Sequence, residues 1–544
     1  MSKLEMTRRA LLGGVAGVAG GIALAGCGPS GGGSGGTGGN TGGSGSGSFT
    51  PPAYVPFADV TPDLPGTEDG VSPAFFSFPD PPSSRDGFPL PQTEPVTALL
   101  QNAPPQVAPD QNPAYEVFRT SAGNSMDATT IISTQYLEKY QVTMAGSDIP
   151  DFVQMEVVAQ FPKLLEKYFT DLSDVLGGDG VKAYPGLANI PTPTWRIPTV
   201  NGRLWGIAQP RPPAGRILST RGDLLEAKGL EINPEPADGA EFVELLKALT
   251  DKGKNEFAMG ADPVGWLLRG VLEMMGAPNN WTLEGDTFVS QIASPQMKDA
   301  LTECGKIIKA GYWHPNSFSD PGSNGAWWEA GTTAMMFQSF TGWGNFARQH
   351  PEWKVGYVRL PSWDGSGKAS IHKSDAGYYA FIGIKKQASD KRLEELLRLA
   401  DFIASPFGTQ QFLDVNYGAP GFTYEMKDGN PEFLEKGSSN IVKGWSYCGG
   451  NSQAVLFAPG QDELIKAQHE YLSTVMTEGM EDASSGLYSE SKVTKGASSS
   501  KQMKDIQRGV ILGEKPMSEW DAFVKEWQSE VGDAMAAEYA EARS

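Results

Sequence analysis

The sequence predicts an α/β fold, and three observations lead to it. From about residue 94 onward, short runs of Val, Ile, Leu and Phe alternate with longer amphipathic stretches. One such stretch, Asp238–Gly253, carries a one-sided apolar stripe of Phe242, Leu245, Leu246 and Leu249, the mark of a helix packed on a core. At 544 residues and 39% hydrophobic content, the chain is globular and too long for one ordinary domain. Strands separated by helices imply lobes with mainly parallel sheets.

The first element is a leader. Lys3, Arg8 and Arg9 precede an apolar, Gly-rich stretch, residues 10–26, which is short for a permanent span and reads as a signal peptide, residues 1–26. "TRRALL" (Thr7–Leu12) resembles a twin-arginine export signal, with Leu11 and Gly13 departing from the usual pattern. "LAGC" (Leu24–Cys27) resembles the bacterial lipobox, whose cysteine thiol takes a diacylglyceryl group and becomes the mature N-terminus. Two acyl chains are enough for stable anchoring, so Cys27 is the expected lipidation site. Residues 27–48 follow as a tether. Of residues 31–48, 11 are Gly, which leaves nothing to bury. As a Gly-rich coil those residues span roughly 23–25 Å. The expected location is the outer face of the cell membrane.

Residues 49–94 are rich in Pro and aromatics and read as an extended arm packed along the body. Regular structure then opens with a strand at Glu94–Gln101. "DATTIISTQYLEKY" (Asp127–Tyr140) reads as helix, Asp148–Met155 as a strand opened by Pro150, and Phe161–Phe169 as helix. Gly202–Gln209 is a strand; Gly215–Leu230 runs from strand into helix. Thr332–Ser339 is a strand, Leu393–Ser405 a helix, and the C-terminal third is mostly helical.

Composition excludes several functions. A net charge of −20 argues against phosphate-backbone partners. The 3 cysteines, Cys27, Cys304 and Cys448, make no disulfide framework, and sequence does not decide whether the last two pair. The 4 histidines show no metal-ligand spacing such as HExxH. No GxSxG, Walker or dinucleotide motif is present, and no carboxylate pair stands out as acid and base. Catalysis therefore has no positive support in these residues, and neither an enzyme activity nor a cofactor is expected.

Five stretches in order carry a specific resemblance. They are "AGSDIPDFVQ", "VNGRLWGIAQPRPPAGRILSTRGDLLEAKGL", "EAGTTAMMFQSFTGWGNF", "GYYAFIGIKKQASDKRLEELLRLADFIASPFGTQQFL" and "YGAPGFTYEMKDGNPEF" with the C-terminal tail. Together they resemble the family 1 extracellular solute-binding proteins of bacterial ABC importers, the maltose-binding type, in its longer oligosaccharide-binding lipoprotein subgroup. The resemblance implies a two-lobe periplasmic-binding-protein fold, type II-like, with a ligand cleft between lobes joined by crossing strands. The expected crossings are Gln209–Gly215, Leu360–Ser370 and "YGAPGF". That puts residues 95–214 and 366–420 in lobe 1, and residues 215–365 and 421–544 in lobe 2. The partners implied are a small-molecule solute, an oligosaccharide first of all, and ABC permease subunits; the protein itself is expected to be a monomer.

Sugar recognition needs aromatic faces and short polar groups, and the chain holds 13 Trp and 16 Tyr. Most are packing residues, and each candidate carries that alternative. Trp343, in the Gly-flanked "TGWGN", matches the family's sugar-stacking position. Tyr378 and Tyr379 open the return strand, Trp205 lies on a strand beside the hinge, and Arg211 stands at the hinge mouth. Asp151 ends a strand toward the cleft, Trp266 lies in "DPVGWLLRG", and Trp445 and Tyr447 lie in the Gly-rich "GWSYCGGN". Leu249–Gly260 aligns with a loop that binds calcium in some relatives. Only Asp251 and Asn255 remain, among lysines, so no metal is expected there. Two other readings remain open: the same fold holding a peptide, polyamine or lipid precursor, and a secreted glycan-active enzyme.

Overall fold

The computed structural model describes residues 49–374, 377–441 and 443–543, leaving aside the side chains of residues 377–379 and 443. The leader, Cys27 and the tether lie outside the described residues.

Two sheets organise the body. The first has five strands in the order Met126–Ile131, Val96–Gln101, Phe152–Gln154, Gly377–Ile384, Ile207–Pro210. Val96–Gln101 runs parallel to both its neighbours, while Gly377–Ile384 is antiparallel to both of its own. Alternation along Val96–Gln101 explains its place. Val96, Ala98 and Leu100 enter one apolar layer with Phe118, Leu397 and Trp445, and Leu99 enters the layer opposite with Tyr136, Leu165 and Trp205. Five of its six residues are buried and four are apolar, as suits a strand packed on both faces.

The second sheet has three strands, Met335–Ser339, Arg216–Thr220 and Gly356–Tyr357, all antiparallel. This corrects the expectation of mainly parallel sheets, because a strand–helix alternation fixes the elements but not the direction in which each strand is inserted. Leu218, Met335 and Phe337 face a large core that includes the C-terminal residues Trp520, Trp527 and Tyr539. Ile217 and Met336 face a smaller core with Trp343, Trp353 and Tyr471.

One element was misassigned locally. "DATTII" forms the edge strand Met126–Ile131, and the helix begins only at Ser133 and runs to Ala145. Thr129, Thr130 and Ile131 are β-branched and suit the pleat.

After the arm, the described chain passes between the lobes three times. The first crossing, residues 211–215, joins Ile207–Pro210 of the first sheet to Arg216–Thr220 of the second. Gly215 sits at φ +62°, and a Cβ there would lie 2.6 Å from the His372 carbonyl oxygen, so the tight passage demands glycine. That carbonyl belongs to the second crossing, which comes later than expected. Ala369 and Ile371 still pack in the second lobe, and the chain passes back between His372 and Gly377. The two crossings bond side by side, with Ser374 N–H donating to Pro213 O at 3.2 Å and Gly215 N–H to Ser374 Oγ at 3.3 Å. The third crossing is also displaced. Trp445 and Cys448 pack in the first core and Leu456 in the second lobe's smaller core, so it lies near residues 449–456 rather than at "YGAPGF". Trp445 and Cys448, within the 421–544 stretch assigned to the second lobe, therefore pack with the first instead. Cys304 and Cys448 are both buried free thiols in different cores.

The arm, residues 49–95, lies across the body in extended form. Phe49 and Phe88 pack on the first core, Val71 and Ala74 on the smaller second-lobe core. Ala74–Phe75 pairs in parallel with Leu456–Phe457. Arg85 is buried. It donates to the Asp401 carboxylate, to the Asp401 carbonyl at 2.8 Å and to Ser405 Oγ at 2.8 Å.

Candidate functional site

In open α/β sheets, ligand contacts gather beyond the carboxyl ends of strands. Here Asn102 follows the end of Val96–Gln101, Gln209 is the penultimate residue of the first-sheet strand Ile207–Pro210, and the helix Phe340–Gln349 starts at the end of Met335–Ser339. These ends converge on a cavity of about 600 Å³. A second cavity of about 320 Å³ adjoins it, and both share Arg211, Pro212, Phe340 and Thr341. Arg211 therefore stands in the first crossing at the junction of the two, donating to Thr341 Oγ1 at 3.5 Å.

The larger cavity has aromatic and amide walls. Tyr417 stacks on Phe433 at 4.8 Å, and both line it with Tyr447. Gln209 is 1% exposed, and its side-chain oxygen has no hydrogen-bond partner among the described residues. An unpaired buried acceptor costs about 1–3 kcal/mol, which a ligand hydroxyl would recover. In the smaller cavity the Arg216 guanidinium lies 4.3 Å from the Trp266 ring centre and donates to Gly265 O at 2.6 Å. Burial lowers the Arg216 pKa to about 10, with the Arg269 charge adding to the effect, so it stays cationic at neutral pH. Behind it, burial pushes the Glu273 carboxyl up to about 7, although Arg269 lies 3.6 Å away and opposes that shift.

Of the predicted residues, the structure brings Arg211, Trp266 and Tyr447 to these cavities. It does not bring Trp343. "TGWGN" is not a turn but the first part of a helix, capped by Ser339, whose hydroxyl accepts from Gly342 N–H at 3.1 Å. On that helix Phe340, Gly344 and Arg348 share the cavity face, and Trp343 and Ala347 point to the core. Trp343 is 1% exposed, and its indole N–H donates to Val355 O at 3.1 Å. Trp205 and Trp445 are likewise core residues, the first donating to Val200 O at 3.2 Å, the second packed on Phe118 and Tyr115. Asp151 ties neighbouring strands: its carboxylate accepts from Thr97 N–H at 3.1 Å and Thr97 Oγ1 at 3.2 Å, and meets Arg392 at 3.4 Å. Tyr378 and Tyr379 open the strand Gly377–Ile384, with side chains outside the described residues.

Sequence reasoning missed Gln209 as a contact, and Arg216, Arg269 and Arg348. One signal was present: spacing of three and four from Phe340 through Gly344 to Arg348 marks one helix face. In the loop once compared with calcium sites, the Asp251 carboxylate accepts from Gly253 N–H at 3.0 Å and meets Lys254 at 3.3 Å.

Residues 126–410 match the family described as Bacterial extracellular solute-binding protein. The chain is 25% identical over 463 residues to Lipoprotein LipO of Bacillus subtilis (strain 168), covering 79% of this chain and 88% of that one. It is 22% identical over 455 residues to the Polygalacturonan/rhamnogalacturonan-binding protein YtcQ of the same organism, covering 80% and 88%. Its fold is similar to that of the N-glycan transport solute binding protein (NgtS) of Streptococcus pneumoniae, with a TM-score of 0.57 at 14% identity, covering 83% of this chain and 99% of that one.

Proposed function

The chain belongs to the bacterial extracellular solute-binding proteins, and from that premise we propose that it captures an oligosaccharide in the cleft between its lobes and hands it to an ABC permease. The observation that carries this reading is the pair of adjoining cavities at the first crossing, walled by aromatic rings, amides and arginines from both lobes. Flat rings suit the C–H faces of sugars, and the amides and guanidinium groups suit their hydroxyls. Both lobes touch a ligand held there, so binding stabilises the closed arrangement, and closure is the state a permease can read. The relatives whose names specify a polysaccharide or a glycan support the same class of cargo.

Native mass spectrometry of protein purified from its host tests the reading. The expected result is an added mass that resolves into hexose-type units, with calorimetric binding of the released compound. A bound peptide, polyamine or lipid precursor, with no oligosaccharide binding, would overturn it.

The same reading includes a lipid anchor on Cys27. The native N-terminus is expected to be a diacylglyceryl cysteine by mass spectrometry, and Cys27→Ala protein is expected in the medium. A Cys27→Ala chain as membrane-bound as the parent would rule the anchor out.

A further inference from the structure

The cleft differs in charge from the rest of the chain. Acidic residues outnumber basic ones 64 to 44 over the sequence. Yet among the described residues, neither cavity is lined by a single Asp or Glu, and four arginines line the two. Arg348 lines only the larger cavity, Arg216 and Arg269 only the smaller, and Arg211 both. The cations are thus spread along the cleft rather than gathered at one point.

We propose that the cleft takes a carboxylate-bearing oligosaccharide, an oligouronide, whose acid groups are received in succession by Arg348, Arg211 and the Arg216–Arg269 pair. The proposal rests on the oligosaccharide reading and narrows it. A neutral sugar offers hydroxyl donors and is commonly matched by protein carboxylates that accept them; here the cavity walls offer amide oxygens such as that of Gln209, and cations. Guanidinium groups match carboxylates in shape and in paired hydrogen bonds, and the match strengthens out of water. Arg216 is already held in place by Trp266 and Gly265 O, so little ordering is needed when it binds. Glu273, 3.6 Å from Arg269, is itself buried. Burial pushes its pKa up to about 7, so at neutral pH it offsets only part of the arginine charge. A repeating acid, one per sugar ring, fits charges distributed over two cavities; a single terminal phosphate fits one point.

The test is calorimetry on the full-length protein in detergent, with galacturonate, alginate-type and glucuronate oligomers of three to six rings. Their methyl esters, neutral oligosaccharides of equal length and sulfated oligosaccharides complete the panel. An oligouronide is expected to bind at least tenfold more tightly than its methyl ester, and to weaken as salt rises. Arg348→Gln and Arg211→Gln are each expected to weaken it at least tenfold with unchanged melting, and Arg348→Lys to recover part of the loss. Three results overturn the proposal: neutral oligomers or esters binding as tightly as the acids, sulfated oligomers binding where carboxylated ones do not, or no oligouronide binding. The first leaves the oligosaccharide reading standing. Failure of every oligosaccharide in the panel brings both down.

Discussion

Replacing Arg85 by alanine is expected to cost the folded state about 3–5 kcal/mol, the range for stripping one partner from a buried ion pair. The two side chains are 6% and 2% exposed. Asp401 also accepts from Gly186 N–H at 2.6 Å and Leu187 N–H at 3.2 Å, so its carboxylate is committed to this place. Without Arg85 it keeps those two donors but loses its countercharge and its link to the arm. Burial already raises the Asp401 pKa, and Arg85 opposes that most, ahead of the Leu187 and Gly186 backbone donors. The loss should therefore shrink as pH falls, because a protonated Asp401 needs no cation. Urea denaturation across pH measures this. The Arg85→Ala/Asp401→Asn double variant should cost less than the two single changes added together. A single loss below about 1 kcal/mol, or strict additivity, would show that the pair does not hold the arm down.

Trp343→Ala should destabilise by about 3–5 kcal/mol, as expected for removing a large buried aromatic. The indole packs edge to face against Phe340 at 5.9 Å and against Tyr471 at 6.1 Å, and the variant also strands the Val355 carbonyl. Ligand affinity per folded molecule should hardly change. Thermal melts and calorimetry on one preparation separate the two effects. A stable variant that binds poorly would mean that the indole faces the ligand after all.

The order of strands and helices was legible because each buried strand is a short apolar run and the helix Gly239–Ala248 shows its stripe plainly. Strand direction in the second sheet was not legible, since Arg216–Thr220 has the same alternation whichever way its neighbours run. Trp343 misled for a local reason. Two flanking glycines look like a turn, yet helix Phe340–Gln349 tolerates them because Gly344 packs where a Cβ would come within 2.7 Å of the Gln468 side chain. The arginines were invisible for the opposite reason. Arg216, Arg269 and Arg348 come from three distant segments, and only the fold sets them around two cavities that meet.

The arm makes the two lobes a linkage with one more bar than the hinge alone provides. It is fastened to the first lobe through Arg85 and Phe88, and to the second through Val71, Ala74 and the pairing with Leu456–Phe457. Earlier along the arm, Tyr54 and Val71 share a small cavity with Arg211 of the first crossing. Bodies joined by adjacent crossings alone can bend and twist about them; a further bar pinned to both removes part of that freedom. In the proposed reading, a cleft that closes on its ligand would then open only as far as the arm's slack between its two fastenings allows.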